Sequence, residues 1–339
     1  MNKIQATAPA KVILSGEHAV LYGAPALGVA IQKHCQTTIQ PLPDDEPNLH
    51  IDIPPLNCKQ LFSIAQLIKQ HHTLKNKTQN NIRPPTASHP ANMVAHAIIR
   101  FIDQYNIKLT YGLRVTLEST IPIASGMGSS AAYAVSLTQA LHRFFDIAQD
   151  PEQVAQLAIE TENTQHGQSS GLDVYLSLLG GCLYYDTPTR IHRINTQLPA
   201  IHLLKLGSDK SSTRDCVAHC RQHFTNDVGL VSAFTTITQT IKQHIVEQTN
   251  PQALAESIQE NHRLLCRLGV VPQPAQQLIK DIEQQGGAAK ISGAGSIHDH
   301  GSVVIWAAHD SSALRTLAET HQANFETINI HHHANTTSH

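Results

Sequence analysis

Residues 113–118 alternate apolar and polar side chains, which predicts a strand with one buried face. Beyond them, Ala131, Ala132, Val135, Leu137, Ala140 and Leu141 recur at helical spacing and predict a helix reaching about Phe145. The same periodicity predicts helices over 61–70, through Leu61, Ile64, Ala65 and Ile68, and over 92–105, through Val94, Ala97, Ile98, Phe101 and Ile102. A further helix is expected from Pro151 to about Asn163: Asp150 is a good N-cap, Pro151 suits the first helical position, and Gln153 completes a capping box. Short buried strands are predicted at 12–14 and 27–31. The Pro- and Asp-rich stretch 40–55 reads as a surface excursion or hairpin, and the polar stretch 71–89 as a long loop, of the kind that can serve as a lid.

The stretch 186–199, with its Pro and Thr, reads as a domain junction. After it come a strand at 201–206, a turn at 207–214, and helices near 216–224, 229–248, 251–268 and 274–284. A strand at 302–307 and a helix at 311–322 follow, then a frayed tail from His331 to His339. Two strands with helices between them predict an α+β second domain, and no repeat of 20–50 residues is apparent.

Composition adjusts this outline only slightly. The 339 residues suffice for two ordinary domains, 41% of them are hydrophobic, and the net charge of −2 gives no field that favours nucleic acid or a membrane. The six cysteines form no dense framework, so free thiols in a reducing, cytoplasmic compartment are expected. Residues 1–10 lack the apolar core of a signal peptide, and no apolar run approaches the length of a membrane helix.

Candidate chemistry gathers at PIASGMGSSAA, residues 122–132, between the predicted strand and helix. Two glycines allow close backbone approach, and the helix start offers unpaired N–H groups, so the bend is a seat for an anion, with a polyphosphate the best fit. The spacing matches neither the P-loop nor the dinucleotide fingerprint, and an ordinary turn capped by Ser129 is an equal alternative. Lys11, Glu17 and His18 lie at or near a Gly-flanked turn, and Glu162 falls near a helix C-terminus, where a carboxylate is disfavoured unless a cation compensates. Asp173, after a Gly-Ser turn, is either a helix cap or a buried base. Cys216, His219, Cys220 and His223 share helical spacing, but one straight helix cannot wrap a tetrahedral metal.

Four stretches together resemble the GHMP kinases: APAKVILSGEHAVLYG at 8–23, the 122–132 bend, HGQSSGLD at 166–173 with Gly180 and Gly181, and KISGAG at 290–295. The Glu-His pair and the Gly-Leu-Asp are most similar to the mevalonate kinase branch. The resemblance implies the two-domain α+β GHMP fold: residues 1–197 as a mixed α/β domain with a ribosomal S5-like fold, and 198–339 as a ferredoxin-like domain. It implies ATP-dependent phosphorylation of the 5-hydroxyl of mevalonate, with Mg²⁺, and it allows a homodimer.

Carried over residue by residue, Asp173 would be the catalytic base, with Lys11 beside it easing ionisation of the hydroxyl. Ser130 and Glu162 would hold Mg²⁺. Pro122, Ser125, Gly126, Met127, Gly128, Ser129, Ser130 and Ala131 would cradle the nucleotide phosphates, and Glu17, His18 and Thr213 would face the alcohol. The third motif departs from the family pattern: Ser296 to His300 replace the usual glycine run, which puts close backbone approach there in doubt. Recognition of the substrate carboxylate would rest on His18 with Lys210 or Arg214. Another small-alcohol kinase of the family, for phosphomevalonate or homoserine, and a catalytically silent regulator of the same fold are the alternatives.

Overall fold

The computed structural model describes residues 2–43, 47–78, 89–122, 125–166, 169–187, 190–196, 198, 201–207, 211–248, 250–291, 293–298, 301–306 and 311–331. Two compact units account for the chain. One comprises Met1–Pro9, Lys33–Thr120 and Ser129–Leu178; the other comprises Ala10–Gln32, Ile121–Gly128 and Leu179–His339. Two strands, β1 (Ile4–Ser15) and β2 (Ala26–Leu42), pair with each other, and each has residues in both units.

In the first unit the order is β3 (Asn48–Ile53), β4 (Cys58–Ser63), α1 (Ile64–Thr78), α2 (Pro90–Gln104), β5 (Gly112–Ser119), α3 (Ser129–Phe144), α4 (Pro151–His166) and α5 (Leu172–Leu179, whose last residue falls in the second unit). The strands pair in the order β4-β3-β5-β2, antiparallel except β3 with β5. The core is built from alternate residues of each strand: Leu49, Ile51 and Ile53 of β3, and Leu113, Val115 and Leu117 of β5. Onto that face α2 lays Val94, Ile98, Phe101 and Ile102, while Leu137 and Leu141 of α3 and Leu157 of α4 complete the cluster. Burial on this scale stabilises by roughly 25 cal/mol per Å² of apolar surface.

Three expectations for this unit are corrected. The 40–55 stretch is not a surface excursion: β2 extends to Leu42 and β3 carries three buried aliphatics, of which Ile53 pairs opposite Cys58 in a β3–β4 hairpin. The helix expected at 61–70 begins only at Ile64, because Leu61 belongs to β4 and is 62% exposed. That helix runs through Thr78, so the polar stretch 71–89 is helical in its first part; 79–88 lie outside the described residues. The α4 start holds, with Asp150 accepting from the Glu152 N–H at 3.1 Å, but the Gln153 oxygen accepts from the Tyr105 hydroxyl.

The second unit contains β6 (Cys182–Thr187), β7 (Arg190–Ile194), β8 (Ile201–Leu206), α6 (Thr213–Asn226), α7 (Gly229–Glu247), α8 (Pro251–Arg267), α9 (Gln273–Gln284), β9 (Ala288–Ile291), β10 (Gly301–Trp306), α10 (Ser311–Thr320) and β11 (Asn324–Ile328). Ala26–Val29 of β2 pairs with β6, and β6 with β7, so the expected junction at 186–199 contains a strand. The other strands pair in the order β11-β8-β10-β9, all antiparallel. Taken in chain order these four run 4-1-3-2, with one helical excursion after the first strand and one before the last, which is the ferredoxin-like arrangement expected. α8 and α9 pack on β9, whose four residues are all buried.

Candidate active site

The Gly-Ser bend keeps its place between β5 and α3, and the first unit takes over from the second at Ser129. Within the second unit it is tied to β1. The Lys11 N–H donates to the Met127 carbonyl at 3.0 Å, and its ammonium donates to the Gly126 carbonyl at 3.3 Å. The Ser125 hydroxyl closes the turn on the Pro122 carbonyl at 2.8 Å. Gly126 and Gly128 have φ of 69° and 70°, the left-handed region that glycine enters without cost. A Cβ on Gly128 would stand 2.4 Å from Cε of Lys11, so the lysine stem fills the space a side chain would need. α3 begins at Ser129 itself, and the preceding Gly128 has no side-chain oxygen with which to cap it. Met127 and Ala131 are buried beside the bend and the helix start.

In the first unit, Ser130 and Glu162 come together as the sequence implied. The Ser130 hydroxyl donates to Glu162 Oε1 at 2.7 Å, and the Ser169 hydroxyl donates to Oε2 at 3.1 Å. Glu162 is only 4% exposed, and α4 runs on past it to His166. The three side chains are an all-oxygen set of one carboxylate and two hydroxyls, the donor chemistry that suits Mg²⁺ completed by phosphate and water. Ser169 was not singled out from sequence; its place in the serine-rich turn before α5 was the available signal.

Asp173 resolves an open choice. The Gly171 carbonyl accepts the first helical bond of α5, from Tyr175 N–H, and the Ser170 hydroxyl accepts from Leu172 N–H. Asp173 is therefore inside the first turn and half-buried, not the cap.

Glu17 and His18 are both buried, and each engages the third motif within the second unit. Glu17 Oε1 accepts from the ammonium of Lys290, a wholly buried lysine that sequence reasoning quoted but gave no role. His18 has φ of 57°, and its Nε2 lies 2.9 Å from the Ala294 carbonyl; a carbonyl only accepts, so Nε2 carries the proton. Burial drives the His18 pKa down to about 4, against the raising effect of that bond, and the nearby His219 and Lys290 lower it further. His18 is thus neutral at pH 7 and cannot supply the cation expected for a substrate carboxylate. Thr213 is the exposed first residue of α6, which the Ser212–Asp215 capping box initiates, and Arg214 beside it is exposed; Lys210 lies outside the described residues.

Of the altered stretch Ser296 to His300, residues 299 and 300 lie outside the described residues. A Cβ on Gly293 would fall 2.7 Å from the Gly126 carbonyl, so the two Gly-rich loops touch backbone to backbone. Ser296 turns inward, its hydroxyl 3.0 Å from that of Ser211. All six cysteines are free, Cys216 and Cys220 are buried, and no metal-binding group of three or more His, Cys, Asp or Glu occurs among the described residues.

Residues 92–181 match the GHMP kinases N terminal domain family. The mevalonate kinase of Pyrococcus abyssi is 28% identical over 305 residues, covering 86% of each chain. The structure of Methanococcus jannaschii mevalonate kinase superposes with a TM-score of 0.79 over 98% of this chain and 99% of that one, at 21% identity. The L. major mevalonate kinase, solved in complex with R-mevalonate, gives 0.73 at 20% identity, over 97% and 96%. The chain is thus similar to the GHMP kinases over residues 92–181 and to mevalonate kinases over 86% of its length, and it shares their fold.

Proposed function

We infer that the chain transfers the γ-phosphoryl group of ATP to the 5-hydroxyl of (R)-mevalonate, giving 5-phosphomevalonate and ADP. The observation that carries the reading is the Ser130–Glu162 hydrogen bond at the first turn of the helix behind the Gly-Ser bend, in a chain related to mevalonate kinases along 86% of its length.

Phosphoryl transfer asks a protein mainly for positioning and for charge stabilisation at the phosphoryl oxygens. The backbone N–H groups from Ser125 to Ala131 hold the phosphates. Lys11, anchored on the bend through Gly126 and Met127, sets its ammonium against the charge of the moving phosphoryl group. The bond from the γ-phosphorus to the ADP oxygen breaks as the bond to the alcohol oxygen forms, and the hydroxyl proton passes to Asp173. A loose transition state needs little activation of the alcohol, so Asp173 orients the hydroxyl and takes the proton late. Ser130 and Glu162, with Ser169 behind them, would hold Mg²⁺, which supplies Lewis-acid neutralisation of phosphate charge.

Glu17, His18 and Thr213 are assigned to the alcohol. With His18 neutral, Arg214 and Lys210 are left as the cations for the substrate carboxylate. Residues 1–197 and 198–339 are proposed as the two family domains, and the reaction is placed in the cytoplasm. No helix among the described residues is long and apolar enough to cross a membrane.

The test is ADP release with mevalonate, phosphomevalonate and homoserine. Turnover with mevalonate alone is expected; turnover with another alcohol and none with mevalonate overturns the assignment. Asp173→Asn is expected to lower kcat by roughly 10²–10⁴-fold while ADP binding persists. Equal loss of both would make Asp173 a structural residue.

A further inference from the structure

Lys290 is the least expected charge in the molecule. It sits in the middle of a fully buried strand, β9, at 0% exposure. All three of its N–H bonds are accounted for: the Ile13 carbonyl at 3.2 Å, the Ile291 carbonyl at 2.8 Å, and Glu17 Oε1. Burial pushes its pKa down, the Glu17 carboxylate opposes that, and the neighbouring Lys11 ammonium adds to the depression. An ammonium so fully spent cannot itself bind a ligand, so its effect passes through the group it holds.

That group is Glu17, whose other oxygen, Oε2, is buried and has no donor among the described residues. A desolvated carboxylate oxygen without a donor is costly, and an arriving hydroxyl meets no competition there from bulk water. A carboxylate oxygen can only accept, so it bonds a hydroxyl and offers nothing to a second carboxylate, and thereby discriminates between the two ends of a hydroxy acid. The adjacent His18 is pinned to Ala294, four residues beyond Lys290, so the whole Gly16–His18 turn rests on the strand and loop that Lys290 opens.

We propose that Lys290 is a positioning residue for the alcohol site: it clamps Glu17 by Oε1 and leaves Oε2 to accept a hydroxyl of the substrate. The proposal rests on the mevalonate kinase reading, in which Glu17 faces the alcohol, and extends it to a residue on the third motif.

Two variants test it. Lys290→Met strands the Glu17 carboxylate, and Lys290→Met with Glu17→Gln removes both charges. The double variant is expected to regain the melting temperature that the single one loses, since a neutralised pair leaves no uncompensated buried charge. In both, KM for mevalonate is expected to rise by about 10- to 100-fold, the loss of one hydrogen bond to a charged group, with ADP affinity within about twofold of wild type. Wild-type KM in the folded double variant, or recovery of KM together with melting temperature, would overturn the proposal and leave the pair purely structural. Absence of wild-type turnover with mevalonate sinks the functional reading, and this proposal with it. Wild-type turnover with unchanged KM in the variants sinks only the role of Lys290.

Discussion

Glu17 in the second unit and Glu162 in the first are both buried glutamates carried on family motifs, and the structure satisfies them in different ways. Glu162 accepts from two neutral hydroxyls, those of Ser130 and Ser169. Glu17 receives an ammonium on one oxygen and nothing on the other among the described residues. A carboxylate that accepts from hydroxyls presents oxygens of the kind that Mg²⁺ binds. A carboxylate already paired with lysine is close to electrically neutral as a unit, and what it offers is an oriented acceptor. In the proposed function the same side chain would serve a metal in one unit and a hydroxyl in the other.

One substitution, Glu to Gln, separates the two. The largest effect is expected for Glu162→Gln: kcat falls roughly a thousandfold, the scale of several kcal/mol of metal-assisted charge stabilisation. Its thermal stability moves by less than about 1 kcal/mol, because Gln still accepts a hydroxyl bond. Turnover titrated with Mg²⁺ and a thermal melt read both outcomes, and a variant that melts early but turns over normally would reverse the comparison. Glu17→Gln is expected to do the opposite in stability, losing about 3–5 kcal/mol in denaturant unfolding as Lys290 is left uncompensated. A loss below about 1 kcal/mol would show that the pair is not what holds the turn.

The smallest effect concerns His18, which bridges Glu17 to the third motif. Its folded pKa, about 4, lies below the unfolded value of 6.5, so the unfolded chain takes up a proton first as pH falls. Stability from this group is intact above pH 6.5 and declines toward pH 4, by roughly 2 kcal/mol at pH 5. His262, which burial also pushes down to about 4, acts in the same sense. Denaturant midpoints at pH 7 and pH 5 should converge in His18→Gln relative to wild type; an unchanged difference would place the proton uptake elsewhere.

Much of this was legible in the residues before the structure. The β5–bend–α3 unit and the α4 N-cap follow from alternation, helical spacing and capping rules, because those segments bury one regular face, whereas the grouping of Ser130 with Glu162 came from the resemblance to the GHMP kinases. What escaped reading has particular causes. β4 exposes most of its side chains, so Leu61 and Phe62 look like the start of the helix that follows. β9 consists of two alanines, a lysine and an isoleucine behind a glycine pair, with no alternation because all four positions are buried. Lys290 was hidden for the same reason: a charge reads as surface until its partner, 273 residues away in sequence, is known. Gly293 and Gly295 keep the glycines of the third motif, and the room they leave is taken by the Gly126 and Val270 carbonyls.

The segmented make-up of the two units bears on how the chain is made. Ala10–Gln32 leaves the ribosome early, while most of the unit it belongs to is encoded from Leu179 onward. During translation Val12, Leu14, Leu27 and Val29, all at 0% exposure in the finished fold, must wait without the bulk of that unit. A chain terminated at residue 178 would keep this unfinished apolar surface for good. The gene therefore cannot be split there into two independently folding products, and nascent chains halted near that point are natural clients for chaperones and proteases.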